Sequence, residues 1–228
     1  MNFQWLQDAA RYVLGGARVP DSRVKGACES LVAQTQADIG QLADKLRAKT
    51  ITPAQFEEQM RQAIDRNEIA QSALAHGGFG GLSPPVLKRT EERIAAQYDY
   101  LRGFAQSVCD AKLSPAQIGA RAVSYADAGR TSYENEFADA KKDAGFELAA
   151  RILGAADNCS GCVEAAAAGW VPIDELLPIG AAECGSRCHC VVVFRRDENA
   201  QSAPAVDRAI ERAQEKHAAY QAAKKKDA

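Results

Sequence analysis

The sequence predicts a mainly α-helical protein: long helices in a hairpin or small bundle, then a small α+β module stapled through cysteines, then a C-terminal helix. Three observations carry this. Alanine is abundant and aromatic residues make up only 7% of 228 residues, which suits helices better than a β-sandwich. Apolar residues recur three, four or seven positions apart through much of the N-terminal part. Five of seven cysteines fall between residues 159 and 190, in a segment too short to bury a core of its own.

Taken in order, Phe3 to Leu14 reads as a short amphipathic helix ended by Gly15-Gly16. Asp21 caps a second helix running to Ala48, with a thin stripe of Val24, Cys28, Leu31, Val32, Ile39, Leu42 and Leu46. Cys28 sits on that stripe as a small core residue. Thr52-Pro53 starts the next helix, with a capping oxygen and proline at the first helical position. Phe56, Met60, Ala63, Ile64 and Leu74 form its buried face. The run His76-Gly-Gly-Phe79-Gly-Gly81 lacks the ending of a phosphate loop and no strand is expected before it, so it reads as a flexible hinge. Ser83-Pro84 and Ser114-Pro115 open two more helices, joined by the short loop 110–113. Short loops force antiparallel neighbours. Helices of about 25–30 residues span about 40 Å, a length suited to reaching across a partner.

Phe146 to Leu153 reads as a helical lead-in to the cysteine module. Inside it, Val163–Ala168 is a short helix, Gly169–Ile173 a turn and a short strand, and Asp174 caps a half-helix stopped by Pro178. Cys190 to Phe194 is the strongest strand signal in the chain. Trp170 and the valines are expected to form a miniature core. Pro204 to Ala223 reads as a surface helix, and Lys224–Lys226 as a solvated basic end. Four domains follow: an N-terminal helical arm (1–80), a helical hairpin (81–152), a cysteine-rich metal-binding module (153–198), and a C-terminal helix with basic tail (199–228).

The cysteine spacing is Cys159-x2-Cys162, then 21 residues, then Cys184-x3-Cys188-x-Cys190. A C-x2-C turn faces two thiolates toward one metal, and a tetrahedral zinc ion needs four soft ligands. Cys159 and Cys162 are the firm pair. Cys184 and Cys188 are the natural second pair, and Cys190 could replace either. In an extended segment Cys188 and Cys190 point one way and His189 the other. Met1 to Asp8 has no basic start and no apolar stretch, so no signal peptide is expected. A reducing compartment favours metal over disulfide. Structural zinc is therefore the expected cofactor.

The order of these features resembles a known family. A helix beginning Leu82-Ser-Pro is followed by Asp157-Asn-Cys159-x2-Cys162, Gly169-Trp170, Pro172, Leu177-Pro178, and Cys184-Gly-Ser-x-Cys188-x-Cys190 leading into a strand. This is similar to the C-terminal part of phage head-morphogenesis proteins, the Mu F-like minor head protein family. Members carry C-x2-C, a proline-containing segment and a terminal C-x-C, often C-R-C preceded by histidine. Here Cys184 stands near the place of that histidine, and His189 replaces the arginine. The resemblance covers residues 83–195, and its specific part is 157–194. It implies a virion component at the head or head–tail junction, assembled in the host cytoplasm. It also implies multiple copies, the portal or major capsid protein as partners, and sequence-independent contact with packaged DNA.

Other classes have less to draw on. The chain has three histidines, no H-E-x-x-H and no Ser-His-Asp set in context, so an enzyme is not expected. No apolar run reaches a membrane span. The alternative is a zinc-knuckle nucleic-acid-binding or regulatory protein. Residues 153–198 hold seven acids against three strong bases, a net charge of −4, whereas a module that neutralises phosphates should be basic.

Overall fold

The computed structural model describes residues 3–7, 11–110, 112–154 and 158–226. Ala111 of the helix-joining loop and Asp157 of the quoted motif lie outside them. Helices dominate, as the composition predicts, and two small sheets accompany them. The chain divides between Glu136 and Phe137 into two compact units.

The first unit opens with strands where the sequence suggested a helix. β1 (Gln4–Leu6), β2 (Arg11–Leu14) and β3 (Ala17–Val19) form an antiparallel meander. Leu14 pairs with Ala17 across Gly15 and Gly16, whose φ values are +58° and +82°. Two positive-φ glycines make the hairpin turn whose twist matches its strands. Read as a helix stop, Gly15-Gly16 was in fact a strand-to-strand turn. Trp5, Tyr12, Val13 and Val19 also favour strand over helix.

Four long helices follow: α1 (Asp21–Arg47), α2 (Pro53–Ala75), α3 (Pro84–Cys109) and α4 (Pro115–Asp143). Thr52 and Gln55 form a reciprocal capping box at the start of α2, satisfying two otherwise orphaned donors. Ser114 and Gln117 exchange the same pair of bonds at α4. The main core gathers Ile39, Leu42, Phe56, Met60, Ile64, Leu101, Phe104 and Ala122 from all four helices. Gly129 of α4 leaves room for Asn67 of α2, because a Cβ there would lie 2.4 Å from the Asn67 amide nitrogen. Asn67 uses this approach to donate to the Ala126 carbonyl at 3.1 Å.

The glycine run 76–81 does not separate two bodies. Residues on both sides of it belong to the first unit. Gly77 and Gly78 end α2 in positive-φ conformations, and a Cβ on Gly77 would lie 1.9 Å from the Trp5 backbone nitrogen. Glycine is needed here for close packing of β1 on the turn. Tyr12, fully buried on β2, donates to the Ala75 carbonyl at 2.7 Å and ties the meander to the same end of α2.

The second unit, residues 137–228, takes in the cysteine module and both of its flanks. Its sheet has the order β5-β4-β6. The central strand is β4 (Leu148–Ile152), flanked antiparallel by β5 (Val171–Pro172) and β6 (Val191–Arg195). β4 lies where a helical lead-in was expected. Its alanines favour helix in isolation, but Ala149 and Ala150 are fully buried between paired strands, and tertiary pairing decides. The half-helix expected after Asp174 is a single 3-10 turn, Ile173–Glu175. α5 (Ser160–Ala167) packs against the C-terminal helix α6 (Pro204–Lys226). Ile210 and Ala213 of α6 are buried, and Gln214 donates to the Ala167 carbonyl at 3.2 Å. One face of α6 is therefore structural.

Candidate metal centre

The site is assembled from two turns and an extended segment. Cys159 is the N-cap of α5, and Cys162 sits in its first turn, 1% exposed. Cys184 precedes a single 3-10 turn, Gly185–Arg187, in which Gly185 has φ +55°. Cys188 leaves that turn in extended geometry and leads through Cys190 into β6. Cys188 and Cys190 are both buried, while His189 between them is exposed, as an extended segment requires.

These turns bring the thiols together. The sulfurs of Cys159, Cys162 and Cys184 lie within 4.8 Å of one another, as do those of Cys162, Cys188 and Cys190. Cys162 is common to both groups. Its Sγ is 3.5 Å from Cys184 Sγ and 3.6 Å from Cys188 Sγ. Four sulfurs around a tetrahedral ion at about 2.3 Å would sit about 3.8 Å apart. The cluster could hold a metal ion, and the thiols already approach the spacing one would impose.

The electrostatics point the same way. Hydrogen bonding from Cys190 holds the Cys188 thiol down to about 4, despite burial. Burial pushes the Cys162 and Cys184 thiols up. Cys190, donating to Cys188 and buried beside it, is pushed up as well. Without a cation the pocket therefore favours one thiolate and resists the next. A divalent ion supplies the charge that lets the others ionise. Cys28, by contrast, is an isolated buried thiol in the first unit, pushed up to about 12 chiefly by burial.

Residues outside the cysteine set hold the turns in place. Glu183, next to Cys184, accepts from Ser160 Oγ at 2.5 Å and from the Gly161 amide at 3.1 Å. It thereby ties the second cysteine turn to the first and meets the N-terminus of α5 with a negative charge. These bonds, the Ser160 hydroxyl first, hold its carboxyl down to about 2. A Cβ on Gly161 would come within 2.9 Å of Glu183 Oε2. A Cβ on Gly154, just after β4, would lie 2.6 Å from the His189 carbonyl oxygen, so that glycine lets the Cys188–Cys190 segment close over the site.

The strand contributes Arg151, which is fully buried. Its Nη1 donates to Cys162 Sγ at 3.3 Å, and its Nη2 to the Leu177 carbonyl. Spacing arguments missed it. Its signal in the sequence is a lone charge in the otherwise apolar run Leu148-Ala-Ala-Arg-Ile-Leu153.

The module's core is built largely from the site. Cys162, Cys188 and Cys190 cluster with Ala149, Ile179 and Val192. Trp170 is not in this cluster. It is half-buried, with the Arg195 guanidinium 4.8 Å from its ring centre, a cation–π contact. Among the described residues no helix is long and apolar enough to cross a membrane.

No protein-family profile, curated protein or solved structure matches this chain.

Proposed function

We propose that this chain is a structural minor head protein of a tailed phage, with its C-terminal module closed around one structural zinc ion. The long helices are the partner-binding part, against portal or major capsid protein. The supporting observation is the convergence of Cys159-x2-Cys162 with Cys184-x3-Cys188-x-Cys190 in two groups of sulfurs that share Cys162, since this is the motif that carries the family resemblance. Zinc is favoured over other metals by the all-sulfur donor set and the need for closed, redox-inert coordination. The module's net charge of −4 argues against a phosphate-binding knuckle.

Two measurements test this reading. Metal analysis of the purified chain should give about one zinc per molecule, as four soft ligands require. The chain should co-purify with phage particles or portal oligomers and should leave no footprint on duplex DNA at physiological salt. A salt-resistant, sequence-specific footprint would instead support the regulatory reading.

A further inference from the structure

Among the described residues, the largest fully buried side chain is Arg151. Arginine cannot shed its proton in a protein, so its burial places a permanent positive charge inside the second unit. Buried charges are expected to be paired. Among the described residues no carboxylate pairs with Arg151; its partners are the Cys162 sulfur and the Leu177 carbonyl. Its Nε is buried with no partner. A neutral thiol and a neutral carbonyl do not balance a guanidinium.

The balance changes when the thiols bind a metal. A divalent ion held by four thiolates carries a net charge of −2, and replacing one thiolate by neutral imidazole lowers this to −1. Arg151 donates to Cys162, the cysteine shared by both groups of sulfurs. We propose that Arg151 is the built-in counter-charge of the centre, a positioning residue that stabilises an all-thiolate, dianionic complex and fixes Cys162 as a ligand. This rests on the metal reading above and adds a residue and a charge state to it. The exposed position of His189 agrees with an all-sulfur set. The arrangement also links metal to fold, because loss of the ion removes the dianionic complex that balances the buried guanidinium on the central strand.

The test uses the full chain, with zinc and Co(II) as probes. Arg151→Met should weaken zinc binding about 10–100-fold in chelator competition, the range found when groups supporting metal ligands are lost. Arg151→Lys should recover part of that loss, and Arg151→Gln should not. The Co(II) complex supplies a readout that packing alone does not move. Removing a positive N–H donor raises the energy of the sulfur lone pair, so the sulfur-to-cobalt charge-transfer band should shift to longer wavelength in Met and Gln variants. Val192→Ala, a packing change in the same cluster, should leave the band in place. If Arg151→Met does not fold even with saturating metal, the Lys and Gln variants decide: equal affinities and equal bands overturn the assignment. Tight wild-type binding unaltered by Arg151→Met overturns it alone. A wild-type chain that takes up neither metal overturns the metal reading as well.

Discussion

The two units solve the same problem, hiding apolar surface at acceptable entropic cost, with different materials. The first, residues 1–136, buries large side chains such as Phe56, Met60, Ile64, Leu101 and Phe104 in one cluster. It also buries charge, and it does so with partners. Glu136 is 1% exposed and accepts from Arg89 Nε at 3.1 Å, Arg93 Nη1 at 2.8 Å and His76 at 2.9 Å. Glu68 is met by Ser132 at 2.6 Å and Gln97 at 2.6 Å. The cysteine module clusters small residues and thiols around one buried, carboxylate-free arginine. A helical bundle can close on apolar contact and neutralised polar groups. A module whose core is half sulfur is expected to depend on what the sulfur binds.

The contrast is broken most strongly at Cys162, which belongs to both groups of thiols. Cys162→Ser should abolish stoichiometric zinc. Structural zinc contributes about 10–16 kcal/mol of apparent binding energy in small domains, which the cluster around Ala149 and Val192 cannot replace. Limited proteolysis should then cut near Trp170 or Arg187, while circular dichroism retains most of its helical signal from the first unit.

The reciprocal change is Phe56→Ala. Phe56 is fully buried and meets Phe104 edge-on at 5.7 Å. Its truncation should cost about 3–5 kcal/mol, read by urea unfolding of the helical signal, and should leave the zinc content at its wild-type value.

A smaller effect in the helical unit is set by pH. Burial alone would raise the Glu136 carboxyl, but bonds from His76 and Arg89, with Arg93 beside them, outweigh it and hold the group down to about 2 from an ordinary 4.5. A depressed carboxyl stabilises the fold above its unfolded value, and the benefit is lost as pH falls from about 4.5 toward about 2. The loss amounts to about 3 kcal/mol. Urea midpoints of the helical unit should fall across that window, and Glu136→Gln should flatten the trend.

Legibility in the sequence followed the same division. The long helices were readable because a helix with a proline start and a 3.6-residue stripe carries its signal locally: Thr52-Pro53, Ser83-Pro84 and Ser114-Pro115 each open one. The convergence of the cysteine sulfurs was readable because turn spacing limits where thiols can point. The sheets were less so. Phe3 to Leu14 carries an amphipathic pattern as well as aromatic and β-branched residues, and the Gly15-Gly16 that follows it is a hairpin signal. β4 was hidden because Ala149-Ala150 has helical propensity and only its pairing with β6 makes it a strand. The division at Glu136–Phe137 falls inside the continuous helix α4, where no composition change marks it. Arg151 and Glu183 act on the site through contacts 11 and 23 residues away in sequence, beyond the reach of motif spacing.

Metal is expected to hold the cysteine module while the helical unit holds itself. Hydrogen exchange resolved by region, on the full chain with and without a zinc chelator, tests it most directly. Chelation should strip protection from β4, α5 and β6 and leave α2 and the N-terminal part of α3 at their original rates. Unchanged protection across β4 and β6 after complete removal of the metal would contradict it.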